Sequence, residues 1–196
     1  MGTAFYLLQG LAQDTSDWDR VIEHLPEDVE IMRVDVLSLG FDGDRFSLSR
    51  AAEELHQKLG HSEAVICGLS YGAVIAAEHA ISYPGSSHRY VLAGLQTKTR
   101  RGPGRILRIA YPLVHQFMQM RSGRRLSRAK VRSMMSMYAR LDLRDRLSLI
   151  TSPVLLMTGR LDRVHFRPAR DVLARVPQSE FVDLAAAGHE SNKSAP

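Results

Sequence analysis

One stretch constrains this chain more than any other: Ala64-Val65-Ile66-Cys67-Gly68-Leu69-Ser70-Tyr71-Gly72-Ala73-Val74-Ile75-Ala76. Four apolar residues read as a buried strand. A tight turn, Gly68-Leu69-Ser70-Tyr71-Gly72, follows, and then a helix with small residues on one side. A serine at the tip of so sharp a turn occupies strained backbone. The residues two before and two after it must therefore be tiny. The pattern predicts a hydroxyl held above a sheet, at the N-terminus of a helix whose dipole favours developing negative charge.

The remainder of the chain fits around this turn. Its 196 residues suffice for one domain with a full core, and 44% hydrophobic with 24% charged residues is ordinary globular usage. No apolar run reaches membrane-spanning length. The start, Met1 to Leu8, lacks a basic region and a cleavage site, so it reads as a strand and not a signal peptide. The single cysteine, Cys67, excludes an internal disulfide framework. It reads as a packed core thiol in a reducing, cytoplasmic setting.

Strand signals fall at Ala4–Leu8, Glu30–Val36, Ala64–Cys67, Arg89–Ala93, Pro153–Thr158 and Glu180–Leu184. Helical signals fall at Asp17–Leu25 (capped by Ser16 or Asp17), Ser47–Leu59, the segment after Ser70, and about Arg167–Val176. Alternating strands and helices with short connections predict an α/β fold: an open, mostly parallel six-stranded sheet with helices on both faces. From Leu95 to about Leu149 no strand is evident. Met-rich and Arg-rich helical patterns, Ile106–Met120 and Ser127–Leu141, stand there instead. The expected organisation is a core of residues 1–94 and 150–196 with a helical lid of residues 95–149 inserted after the fourth strand.

Charge separates along the same boundary. Lys98 to Arg146 holds 14 Lys and Arg against two acids, a net +12, while the rest holds 12 against 19, a net −7. Arg100, Arg101, Arg105, Arg108, Arg121, Arg124, Arg125, Arg128 and Arg132 suit an anionic substrate, an acidic acyl carrier or an anionic membrane surface. A solvated helical face is the plainer reading. Few aromatics interleave with these charges, which argues against nucleic acid.

Ser70 as a nucleophile needs a base, an orienting acid and a site for an oxyanion. In parallel sheets such groups stand at the C-terminal ends of strands. Asp162 lies in Gly159-Arg160-Leu161-Asp162 after the fifth strand, and His189 in Ala187-Gly188-His189 after the last. His165 is a rival base, and Asp162 as a mere loop cap is a rival reading. No His-Glu-x-x-His, paired Cys, P-loop or Gly-x-Gly-x-x-Gly is present, so neither metal nor cofactor is expected.

With Ser70, Asp162 and His189 in that order, each at a strand end, the chain resembles the α/β-hydrolase superfamily over nearly its whole length. The resemblance implies a nucleophile elbow at Ser70, a general base at His189 and an orienting acid at Asp162. It implies oxyanion donors in the backbone N–H groups of Leu11 and Tyr71. Gln9, Met118 and Met134 are candidates for the substrate pocket. The implied activity is hydrolysis of a small ester or lactone through an acyl-enzyme. The alternatives are a non-catalytic binding or receptor protein, or carbon–carbon hydrolase or lyase chemistry on the same triad; a homo-oligomer is compatible with each. Two departures stand out. Gln9-Gly10 replaces the common His-Gly. The sequence also stops at Pro196, where relatives continue past a similar His-x-Ser-Asn-x-x-x-Pro run into a helix. Truncation, or a partner covering the exposed sheet face, is the corresponding expectation.

Overall fold

The structure, a computed structural model, describes residues 3–59, 63–99 and 126–196, together with Gln116 and Met120. Six strands form one parallel sheet: β1 (Ala4–Leu8), β2 (Glu30–Val34), β5 (Ala64–Leu69), β6 (Arg89–Ala93), β7 (Val154–Gly159) and β8 (Ser179–Leu184). Their spatial order is β2-β1-β5-β6-β7-β8. The register aligns Leu8 with Val34 and Gly68, Leu69 with Ala93, and Gly159 with Leu184. The C-terminal strand ends therefore share one edge, and the loops after β1, β5, β6, β7 and β8 meet there.

Helix α3 (Tyr71–Ser82) is mostly apolar and is buried from Tyr71 to Ile81. A helix of that kind must be covered all round. It packs on β5 and β6 and is covered by α2 (Leu48–Leu59), whose Ala51, Ala52 and Leu55 are fully buried. Small residues on α3, with Ala73, Ala76 and Ala77 at 0% exposure, let it approach the sheet closely. Helix α5 (Phe166–Leu173) follows β7 and closes the same layer through Ala169 and Val172.

Local structure departs from the sequence reading in several places. The expected helix Asp17–Leu25 is a 3₁₀ turn, Thr15–Trp18, followed by a short α1 (Asp19–Ile22). Its cap is Asp14, in a reciprocal arrangement with Asp17. The second strand stops at Val34, because Asp35 caps a 3₁₀ turn over Val36–Ser38. Between this turn and α2 the chain forms a small antiparallel hairpin, β3 (Phe41–Asp42) with β4 (Arg45–Phe46). Gly43, at φ +55°, turns it.

Of the expected lid, residues 95–99 and 126–149 are described, with Gln116 and Met120; most of the helix Ile106–Met120 lies outside the described residues. Helix α4 (Arg128–Tyr138) forms where expected, capped by Ser127, whose Oγ accepts from the Lys130 amide at 3.1 Å. It sits on the hairpin through Ser133, which accepts from the Phe46 amide at 2.8 Å. The outgoing and returning chains are hydrogen-bonded to each other, Thr99 N to Leu141 O at 3.0 Å and Leu143 N to Thr97 O at 2.8 Å. Leu141, Leu143, Leu147 and Ile150 are buried in the same core as α3. Among the described residues no helix is long and apolar enough to cross a membrane.

Candidate active site

Ser70 is the only non-glycine residue with positive φ among the described residues, at φ +53°, ψ −109°. Its amide donates to the Ala93 carbonyl at 2.8 Å, which fixes the turn to the end of β6. A Cβ on Gly68 would lie 2.6 Å from the backbone of Gly72 and Ala73, and one on Gly72 would run into the Leu8 carbonyl. Both glycines are therefore required by close approach of backbone to backbone, as the spacing predicts.

The three strand-end residues meet. The Ser70 hydroxyl donates to His189 Nε2 at 2.9 Å, and His189 Nδ1–H donates to Asp162 Oδ2 at 2.6 Å. Asp162 is buried, while His189 is 41% exposed at its side chain and so can exchange protons with a bound molecule or water. Gly94, at φ +56°, lies against the imidazole: a Cβ there would fall 3.1 Å from His189 Cε1. Neither its left-handed backbone nor its packing on His189 was read from the sequence.

His165 stands in a place the sequence reading did not give it. It does not compete with His189 for Ser70. Instead its Nδ1–H donates to the same carboxylate, 2.8 and 2.7 Å from Oδ1 and Oδ2 of Asp162, and its ring stacks on His189 at 4.5 Å and 22°. The signal for this was its position three residues after Asp162, one turn on. Burial by itself would raise the Asp162 carboxyl; the hydrogen bonds from His165 and His189 outweigh it and hold Asp162 below the usual carboxylate range. Burial pushes His165 below the ordinary imidazole value, against the pull of Asp162, so it is a neutral donor near neutral pH. The ligand atoms of Asp162, His165 and His189 lie within 4.8 Å of one another, a spacing that would admit a metal ion. The hydrogen bonds of this cluster already engage the same atoms.

The loop after β1 is held by a buried relay. Gln13 Oε1 accepts from the Gly10 amide at 3.0 Å, and Gln13 Nε2 donates to Asn192 Oδ1 at 3.1 Å. Asn192 Nδ2 in turn donates to the Asp17 carbonyl at 2.9 Å, and Lys193 pairs with Asp17 at 2.8 Å. The turn α6 (Ser191–Ser194), just beyond His189, is thereby tied to the loop that carries Leu11. Tyr71 opens α3, where an amide has no carbonyl one turn earlier to bond.

The pocket candidates fare differently. Gln9 is 2% exposed; its Nε2 donates to Asp35 at 3.0 Å and its Oε1 accepts from the Val36 amide at 3.3 Å. It braces the segment after β2 and does not offer its amide to a pocket. Met134 is 1% exposed and belongs to the main core, so it fixes α4 to the body and lines no open pocket. Met118 lies outside the described residues, as do Arg100, Arg101, Arg105, Arg108, Arg121, Arg124 and Arg125. Cys67 has its thiol pushed up to about 12 by burial, which makes it an inert packing group.

Residues 5–196 match the model of the alpha/beta hydrolase family. The chain belongs to that family. The fold recurs in a hydrolase from Pseudomonas aeruginosa PA01, at 21% identity and a TM-score of 0.76, covering 100% of this chain and 86% of that one. An enol-lactonase from Burkholderia xenovorans LB400 aligns at 16% identity and a TM-score of 0.75, covering 98% and 86%. An esterase from Exiguobacterium antarcticum aligns at 20% identity and a TM-score of 0.74, covering 97% and 86%. No curated protein matches the chain in sequence.

Proposed function

We propose that this alpha/beta hydrolase family member is a serine hydrolase that cleaves a small ester or lactone through an acyl-enzyme. The observation that carries the reading is the continuous relay from Ser70 Oγ through His189 to the buried Asp162 carboxylate, set on a strained turn. The esterase and enol-lactonase with the same fold support the substrate class.

Ser70 Oγ attacks the carbonyl carbon as its proton passes to His189 Nε2. Asp162 stabilises the resulting imidazolium and keeps the ring in the tautomer that accepts at Nε2. The oxyanion faces the amides of Leu11 and Tyr71, aided by the N-terminus of α3. Collapse breaks the bond to the alkoxy oxygen, which takes the proton from His189 and leaves as the alcohol. Water then gives its proton to His189 and attacks the acyl-enzyme. Release of the carboxylic acid restores Ser70. In a lactone the leaving alcohol stays attached to the acyl chain.

The test is hydrolysis of 4-nitrophenyl esters and lactones of graded acyl length by wild type and Ser70→Ala. The substitution is expected to lower kcat by about 10⁴–10⁶. A fluorophosphonate probe is expected to label wild type at Ser70 and to leave Ser70→Ala unlabelled. Unchanged turnover in the variant, or an unlabelled wild type, would exclude the mechanism.

A further inference from the structure

A cavity of ≈ 560 Å³ between the segments after β6 and β7 has walls that hold Lys98, Arg144, Arg163 and Arg167 against one carboxylate, Asp171. Two strand-end loops, the segment that returns to β7 and the start of α5 build it. Gln96 and Thr97 come two and three residues after Gly94, the glycine packed on His189. Arg163 and Val164 directly follow Asp162. The cavity therefore begins within one or two residues of two groups that touch the catalytic imidazole.

Its charges are not equivalent. Lys98 and Arg144 share Asp142, at 3.2 Å and, through two bonds from Arg144, 2.8 Å each. The hydrogen bonds from Arg144 hold the Asp142 carboxyl well below the usual range, so this triplet stays ionised and retains one excess positive charge. Asp171 has its own partners: it accepts from Thr97 Oγ1 at 3.0 Å and pairs with Arg175 at 3.7 Å. That leaves Arg163, in the turn before α5, and Arg167, the second residue of α5, both exposed and with no ion-pair partner among the described residues. Two like charges on the wall of one cavity repel each other. A bound anion converts that repulsion into two charge-assisted hydrogen bonds, and a guanidinium is shaped to take a carboxylate or phosphate in a bidentate manner.

Resting on the hydrolase reading, we propose that this cavity is the subsite for an anionic group, carboxylate or phosphate, carried by the substrate at a distance from the scissile carbonyl. Among the described residues, the charges open to that anion then sit on Arg163 and Arg167, after β7.

The test pairs esters that are equal in chain length and differ only by a terminal carboxylate. Mono-4-nitrophenyl esters of diacids from succinate to suberate are compared with the 4-nitrophenyl esters of the matching monoacids. Wild type, Arg163→Gln, Arg167→Gln and the double variant are assayed. Wild type is expected to prefer the carboxylated member at one chain length. The double variant is expected to lose that preference, the ratio of kcat/KM values falling about 10- to 100-fold, with the single variants between. The preference should also shrink as salt is raised.

A second arm does not depend on turnover. The free diacids are expected to raise the Tm of Ser70→Ala, and equal ionic strength of sodium chloride is not. Adding Arg163→Gln and Arg167→Gln to Ser70→Ala is expected to abolish that rise. If wild type turns over neither ester, the hydrolase reading fails, while an arginine-dependent rise in Tm still supports an anion site. A preference ratio unchanged in the double variant, or a Tm unmoved by every diacid, overturns the proposal.

Discussion

His165 shows how one residue alters the reading of a triad. It gives Asp162 a second imidazole donor and lays its ring against His189, so the orienting acid is fixed from two sides. His165 bonds Asp162 and not Ser70, so in the proposed mechanism it positions the imidazole and does not accept the proton. His165→Phe is expected to lower kcat about 10- to 100-fold with little change in KM, through misplacement of the imidazole. His189→Phe is expected to match Ser70→Ala. Equal losses in the two histidine variants would make His165 a base in its own right. Its place after Asp162 was visible in the sequence, but not its bond: a histidine one helical turn from an acid points back to it only if the intervening turn closes. Here it does, with the His165 amide bonded to the Asp162 carbonyl at 3.3 Å. Gln9 runs the other way. Its position beside Gly10 suggested the site, yet its side chain satisfies the segment after β2. Sequence neighbours of a site share its loop but not its direction.

At the level of elements, the strand–elbow–helix unit was legible because its demands are local. Positive φ at Ser70 and the exclusion of any Cβ at Gly68 and Gly72 follow from one tight turn. Gly72→Ala is expected to destabilise by more than about 3 kcal/mol, since the added methyl meets the backbone carbonyl of Leu8 on another strand and not a flexible side chain. Urea unfolding would check it, and a loss under about 1 kcal/mol would show that β1 and α3 can separate cheaply. The short helix before β2 and the β3–β4 hairpin were not legible in this way. Their capping choices, Asp14 over Ser16 and the stop at Asp35, compete within one or two residues, and only packing of Trp18, Val36 and Phe46 decides between them. Helix α4 was found from its periodicity. Its apolar side offered no sign that Val131 and Met134 are core while Met135 and Met137 are only partly buried.

Across the whole molecule, histidines without a motif form a structural cluster on the far side of α3. His79 is fully buried, bonded to the Tyr90 hydroxyl at 2.8 Å and to His56 at 3.3 Å, and His56 stacks on Tyr83 at 3.8 Å. Burial, with His88 and His56 adding to it, pushes His79 down to about 3 from an ordinary 6.5. The folded state thus keeps His79 neutral where the unfolded chain binds a proton. Its contribution is complete above pH 6.5 and is lost as the pH falls from there toward 3. At pH 5 the loss from this residue is about 2 kcal/mol. The Tm is expected to drop between pH 7 and 5, and His79→Gln is expected to flatten that drop. A wild-type Tm independent of pH over this range would contradict the assignment.

By itself the sequence determined the parallel six-stranded sheet, the sharp turn at Ser70 and the places of Asp162 and His189 after strand ends. Each rests on short-range rules: strand and helix periodicity, the space a turn allows, and the position of loops at strand ends. Only the tertiary structure decided what depends on loops distant in the chain meeting at one edge. It set two imidazoles on one carboxylate, packed Gly94 against His189, linked Gln13 to Asn192 across 179 positions, and gathered Lys98, Arg144, Arg163 and Arg167 around one cavity. The physical reason is that side-chain direction is fixed by packing between elements, and no local pattern encodes which faces will meet.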